Sequence, residues 1–215
     1  MVALRLFLVR HGETAANTEM RYLGSRDDPL TDHGLRQARQ LARALAQLPI
    51  SWVYASPLRR AADTAAEIAR AFEIETRLDN RLCEGSFGSW EGLTRAEVVQ
   101  RGAQDAELLS RWEQDPACAP PGGESFLQVR DRVVSLVREL QGTMAGVWIV
   151  LVSHVGPIKA LLASALDLPL PSTRRLFLDP GTISVVDFGI EPVLRLFNSH
   201  EHLGWQAARW MKTRN

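Results

Sequence analysis

Cysteine is nearly absent from this chain of 215 residues; Cys83 and Cys118 are its only two. They form no disulfide framework and lack metal-ligand spacing. Lysine is as scarce, supplying two of the 25 basic residues, Lys159 and Lys212. An arginine skew of that size belongs to the whole chain, so only particular arginines carry a site argument. Net charge is also missing, with 25 basic residues against 25 acidic ones. That balance gives no support to a general nucleic-acid or membrane-surface role. No run approaches the ~20 uncharged apolar residues of a membrane-spanning helix. The opening MVALRLFLVRH has neither a basic leader nor a small-residue cleavage site. It reads as a first strand rather than a signal peptide, and the expected compartment is the cytoplasm. Familiar nucleotide and esterase motifs are missing as well. There is no GxxxxGK[ST] and no GxSxG, and Gly85, Gly88 and Gly92 do not match GxGxxG.

What the chain does have is apolar content of 46 %, enough to bury the core of a single domain over 1–215. Strand-like and helix-like segments alternate. Leu4 to Val9 and ISWVYA (50–55) read as strands, and VWIVLV (147–152) as a central strand buried on both faces. TISVVDF (182–188) and VLRLF (193–197) read as closing strands. Between them, Thr31 caps a helix with Leu35, Ala38, Leu41, Ala42 and Leu45 on one face. Ser56-Pro57 is placed to open a second helix, with Ser as the cap and Pro at its first position. Ser125 and Pro157 begin two more. The alternation predicts an α/β fold: a three-layer α/β/α sandwich with a mostly parallel central sheet. Residues 80–124 break the alternation and are expected to form a small helical cap insertion. Within it, 94–114 is weakly helical.

In such sheets, ligands sit beyond the carboxyl ends of the strands. Three strands here end in chemically telling residues: Arg10-His11-Gly12, Ser56-Pro57-Leu58-Arg59-Arg60 and Ser153-His154-Val155-Gly156. Two imidazoles and at least one guanidinium converge on one edge beside helix N-termini, which favour anions. Arg59 is chosen over its neighbour, and Arg60 is assigned to the surface. His33 reads as a solvated turn residue. His200 and His202 flank Glu201 without a third ligand, and Asp27-Asp28 reads as a turn before Pro29. No metal site and no cofactor are expected.

LVRHGET with Asn17, SPLRRAADTA, LCEGSFGSWEGLT, PPGGES and LVSH follow one another from residue 6 to about 166. This ordered set resembles the histidine phosphatase superfamily, also called phosphoglycerate mutase-like. The resemblance implies a covalent phosphohistidine mechanism. His11 would be the nucleophile. Arg10, Arg59 and a protonated His154 would hold the phosphoryl oxygens, with Asn17 as a neutral donor and Glu84 as proton donor to the leaving alcohol. Gly24 and Val155 join Arg10, Asn17 and Arg59 at the substrate. Gly12 would keep the backbone clear of the phosphoryl group. Val155 departs from the glycine common after the second histidine, which bears on specificity more than on chemistry.

The resemblance leaves three functions: a metal-independent phosphomonoester hydrolase, a phosphoglycerate mutase and a non-catalytic phosphoryl-binding module. FGSWEGLT resembles the phosphatase branch, including α-ribazole-phosphatase-like and broad-specificity members. Residues 93–115 hold more acids than arginines, with Phe87, Trp90 and Trp112 nearby, which also suits a phosphatase over a mutase. The expected partner is a small phosphorylated metabolite, not nucleic acid or membrane. Oligomeric state is left open, a homodimer among the options.

Overall fold

In the computed structural model, which describes residues 4–204, the α-helices and β-strands of the described residues follow in the order β1 (Leu4–Arg10), α1 (Ala15–Thr18), α2 (Asp32–Leu45), β2 (Ile50–Ala55), α3 (Arg59–Ala71), β3 (Thr76–Leu78), α4 (Arg95–Gln100), α5 (Ala103–Trp112), α6 (Phe126–Thr143), β4 (Trp148–Ser153), α7 (Val155–Ala165), β5 (Ile183–Phe188) and β6 (Val193–Ser199). The outermost parts of the 1–215 span lie outside the described residues. The six strands form one sheet in the order β3-β2-β4-β1-β5-β6. Pairing is parallel from β3 through β1, and β5 runs antiparallel between β1 and β6.

Alternation along β1 builds both layers. Leu4, Leu6 and Leu8 enter a core with Val133, Leu136 and Leu140 of α6 and Leu161 of α7. Phe7 and Val9 point the other way, onto Leu41 and Leu45 of α2 and Ala65 and Ile68 of α3. Strand β4 divides in the same manner, Ile149 and Leu151 to one face and Val150 and Val152 to the other. A strand apolar at every position must be covered on both sides, and this gives the three-layer α/β/α sandwich. The short β3 was not foreseen; with three residues, TRL, it carries almost no apolar signal.

Three local expectations are corrected. The weak helical stretch 94–114 is two helices, split at Gly102, whose φ of +136° only glycine adopts comfortably. Helix α3 does not start at Pro57. Its N-cap is Leu58, without a side-chain cap, and the Ser56 hydroxyl accepts the Leu58 N–H instead. Helix α7 starts at Val155 with His154 as its N-cap, two residues before the expected Pro157, while Thr31 and Ser125 cap α2 and α6 as expected. Beyond the sheet, Trp90, Val98 and Leu109 form a small separate core, bordered by Tyr22, Phe87 and Trp112.

Candidate active site at the carboxyl edge of the sheet

Register places the two histidines. Arg10 pairs with Ser153 at the end of the β1–β4 ladder, and the His11 N–H donates to the Ser153 carbonyl at 3.1 Å. Each imidazole therefore sits one residue past a paired strand end, and the ring centroids lie 5.0 Å apart. Both residues are buried. His11 opens on a cleft of about 170 Å³ lined also by Arg10, Asn17, Gly24, Arg60, Glu84 and Val155, with Tyr22 and Phe87, while His154 is fully buried beside His11.

Hydrogen bonds fix what each ring offers. Nδ1 of His11 lies 2.7 Å from the Gly12 carbonyl, which can only accept. Nδ1 therefore carries the proton and Nε2 keeps its lone pair. His154 is the mirror case. Its Nδ1 lies 3.2 Å from Nε of Arg60, a group that can only donate. The proton then belongs on Nε2, a buried atom with no hydrogen-bond partner among the described residues. One ring presents an electron pair and the other a donor. Burial, and next the Arg60 cation, hold both imidazoles well below the ordinary histidine range. The expected protonated His154 is thus corrected: burial and the Arg60 cation favour the neutral ring, and Arg60 occupies the nitrogen that a second proton would need.

Arg60 is the main correction. Expected on the surface, it is 1 % exposed, while the Arg59 side chain is 61 % exposed and faces Asp63 one turn on at 3.5 Å. What Arg59 supplies inward is its backbone N–H, to Asp27 at 2.6 Å. The Arg60 guanidinium donates to the Arg26 carbonyl at 2.6 Å and the Gly24 carbonyl at 2.8 Å besides His154. A signal for this was present. The buried stripe of α3 contains Thr64 and Ile68, and stepping back four residues from Thr64 reaches Arg60, not Arg59. Gly24 enters through its carbonyl and through a φ of +56°, with Glu91 so close that a side chain would collide.

Arg10 donates from Nη1 to the Leu178 carbonyl at 2.6 Å and lines the cleft. Asn17 lines it too, while its Oδ1 accepts the Thr14 N–H in the capping box of α1. Glu84 stands at the start of α7: the Gly156 N–H lies 3.1 Å from its Oε1, and the Gly85 N–H 2.9 Å. A Cβ on Gly156 would fall 2.3 Å from that same oxygen, so glycine is needed there for Glu84 to approach. Gly12 has a different task from the one expected. A Cβ on it would lie 2.5 Å from the Gly34 carbonyl, so its bareness lets β1 run close to the start of α2.

His200 is buried against Asp179, and Nε2 of His202 meets the Gly181 carbonyl at 2.8 Å. Asp28 faces Arg26. Among the described residues no group of three or more His, Cys, Asp or Glu side chains is arranged to hold a metal ion. Of the cap aromatics, Trp90 is fully buried packing, with its indole N–H on Asp105. Phe87 borders the cleft, and Trp112 borders a second, adjoining cavity. No helix of the described residues is long and apolar enough to cross a membrane.

The model of the histidine phosphatase superfamily (branch 1) matches residues 6–199. The adenosylcobalamin/alpha-ribazole phosphatase of Escherichia coli is 32 % identical over 91 % of this chain and 96 % of its own length. The glucosyl-3-phosphoglycerate phosphatase of Mycolicibacterium vanbaalenii is 39 % identical, over 77 % of this chain and 76 % of its own. A bifunctional protein of Mycobacterium tuberculosis is 43 % identical over 86 % of this chain, which spans 50 % of that protein's length. Among solved structures, Bacillus stearothermophilus YhfR superposes with a TM-score of 0.86 at 29 % identity, covering 94 % of this chain and all of that one. A mycobacterial glucosyl-3-phosphoglycerate phosphatase complexed with VO3 gives 0.83 at 33 % identity, covering 91 % and 99 %. With the family model matching residues 6–199 and relatives above 30 % identity over most of both chains, the chain belongs to the histidine phosphatase superfamily, branch 1.

Proposed function

We propose that the protein is a phosphomonoester hydrolase that works through a phosphohistidine on His11. The observation that carries this reading is the pair of ring contacts, Gly12 carbonyl on His11 Nδ1 and Arg60 Nε on His154 Nδ1, which leave a lone pair on one Nε2 and a donor on the other in rings whose centroids lie 5.0 Å apart. Nε2 of His11 attacks phosphorus as the bond to the alcohol oxygen breaks. Nδ1 keeps its proton, and the Gly12 carbonyl stabilises the positive charge that develops on the ring. Arg10 and Arg60 oppose the phosphoryl charge of about −1.5 to −2, His154 and Asn17 add neutral donors, and no metal is required. Glu84 gives its proton to the departing alcohol. The resulting carboxylate then takes a proton from water, whose oxygen attacks phosphorus, and the P–N bond returns its pair to Nε2.

Relatives named as alpha-ribazole, glucosyl-3-phosphoglycerate and phosphoserine phosphatases support hydrolysis of a small phosphorylated metabolite. The assay is phosphate release from a panel of phosphomonoesters after exhaustive EDTA treatment, with 3-phosphoglycerate followed separately for isomerisation. Phosphate release that survives chelation is expected. Isomerisation without release would replace the hydrolase by a mutase, and a requirement for added Mg²⁺ would overturn the charge assignment to Arg10 and Arg60.

A further inference from the structure

Glu84, Phe87 and Val155 line two cavities at once: the phosphoryl cleft, and a neighbour of about 190 Å³ reaching between the cap and α7. The neighbour is where the alcohol half of a substrate must lie if Glu84 is to reach the bridging oxygen. Its walls are mostly apolar, with Trp112, Phe126, Val129 and Leu170 prominent. Two of its acids are already matched. Glu113 takes a two-pronged contact from Arg95 at 2.7 and 2.9 Å, and Glu124 is held by Arg132 at 3.0 and 3.2 Å.

Its two cations are not matched. Arg174 lies over the Trp112 ring at 5.1 Å and donates to the Trp112 carbonyl; it feels the charge of Glu113 but has no carboxylate in salt-bridge contact among the described residues. Lys159, half-buried one turn into α7, makes no hydrogen bond or ion pair among the described residues. Burial pushes its amine down to about 8, with Arg10 adding to the fall and Glu84 opposing it. Desolvating a cation without a partner is unfavourable, and a bound anion reverses that. With Glu113 and Glu124 each engaged by an arginine from outside the cavity, Lys159 and Arg174 are the lining charges left to meet an anion.

Resting on the hydrolase reading, we infer that this cavity is a leaving-group subsite selecting alcohols with an apolar or aromatic body and a second anionic group, which Lys159 and Arg174 bind. Neither cation reaches into the bond-breaking chemistry; they choose the substrate.

The test compares benzyl phosphate with 4-carboxybenzyl phosphate, whose alcohols differ little in acidity. The ratio of their kcat/KM values, taken within each variant, cancels any loss common to both substrates. The wild type is expected to favour the carboxylated ester by about ten-fold, the usual order for one charge-assisted contact. Lys159→Met should bring the ratio close to one, Lys159→Arg should keep most of it, and Arg174→Met should lower it in part. A wild-type ratio of one or less, or a ratio unmoved by Lys159→Met, overturns the subsite. Calorimetric titration of the wild type with benzylphosphonate and 4-carboxybenzylphosphonate separates the two claims, since neither can be hydrolysed. Tighter binding of the carboxylated phosphonate without turnover of either phosphate would refute the hydrolase and leave the subsite standing. Turnover with equal binding of the two phosphonates would refute the subsite and leave the hydrolase. Should Lys159→Met fail to fold, the wild-type and Arg174→Met ratios decide the matter.

Discussion

The two cavities that meet at Glu84 are built on opposite terms. In the phosphoryl cleft, polar groups are already committed. Arg60 is gripped by the Gly24 and Arg26 carbonyls, Arg10 by the Leu178 carbonyl, and each imidazole by one fixed partner. These bonds set positions before any ligand arrives, which is what electrostatic stabilisation of a developing charge needs. In the adjoining cavity the walls are aromatic and aliphatic, and Lys159 waits without a partner. The contrast teaches that one chain can separate chemistry from choice. Rigid charge sits where the reaction is the same for every substrate, and a less committed charge sits where substrates differ.

Substitutions that separate the two regions should have unequal effects. The largest after loss of the nucleophile should come from Glu84, on the boundary. Glu84→Gln should slow alkyl phosphates by about 10²–10⁴-fold, because an alkoxide cannot leave without a proton. p-Nitrophenyl phosphate, with a good leaving group, should lose far less. Equal losses measured on the two substrates would make Glu84 a binding residue and dissolve the boundary.

Next comes the arginine pair. Arg60→Ala should reduce kcat/KM by about 10²–10³-fold, the cost of removing one preorganised donor. Arg59→Ala, on an exposed side chain whose only ion pair among the described residues is a 3.5 Å contact with Asp63, should change it by less than about two-fold. Steady-state kinetics with one substrate decides this. The reverse ranking would restore the assignment made from sequence.

The smallest effect is on stability. His11 and His154 are held neutral by burial and by Arg60, so below the ordinary histidine pKa of about 6.5 the unfolded chain binds protons that the folded chain refuses. Stability from this source is complete above that pH and falls as the pH drops through it, by at most about 1.4 kcal/mol per unit for each histidine. Urea unfolding between about pH 7 and 5.5 should show His154→Gln with a shallower decline than the wild type. Parallel declines would mean that His154 takes up a proton in the folded protein.

Much of this could be read from the chain, for physical reasons. Apolar runs of strand length that end in Arg-His-Gly and Ser-His place both imidazoles at a sheet edge, because a buried strand has no other place to deliver charge. Helix register was harder to read. Adjacent arginines on a helix point about 100° apart, and only the stripe through Thr64 and Ile68 tells Arg60 from Arg59. Tautomers were out of reach, since they depend on the carbonyl of Gly12 and the guanidinium of Arg60 folding against particular ring nitrogens. Ser56-Pro57 had the composition of a helix start, but the Ser56 hydroxyl caps a bend that precedes α3. Lys159 left a trace that was overlooked: a single cation in the apolar stretch PIKALLASA has to face something other than the core.

The central claim is that His11 carries the phosphoryl group while His154 only donates to it. Rapid quench of a single turnover with ³²P-labelled substrate, followed by peptide mapping, tests it most directly. The expected result is an acid-labile, base-stable label on His11. It should be absent in His11→Ala, and formed about 10²–10³-fold more slowly but on the same residue in His154→Ala. Label on His154, or turnover in His11→Ala at the wild-type rate with no labelled intermediate, would contradict the account.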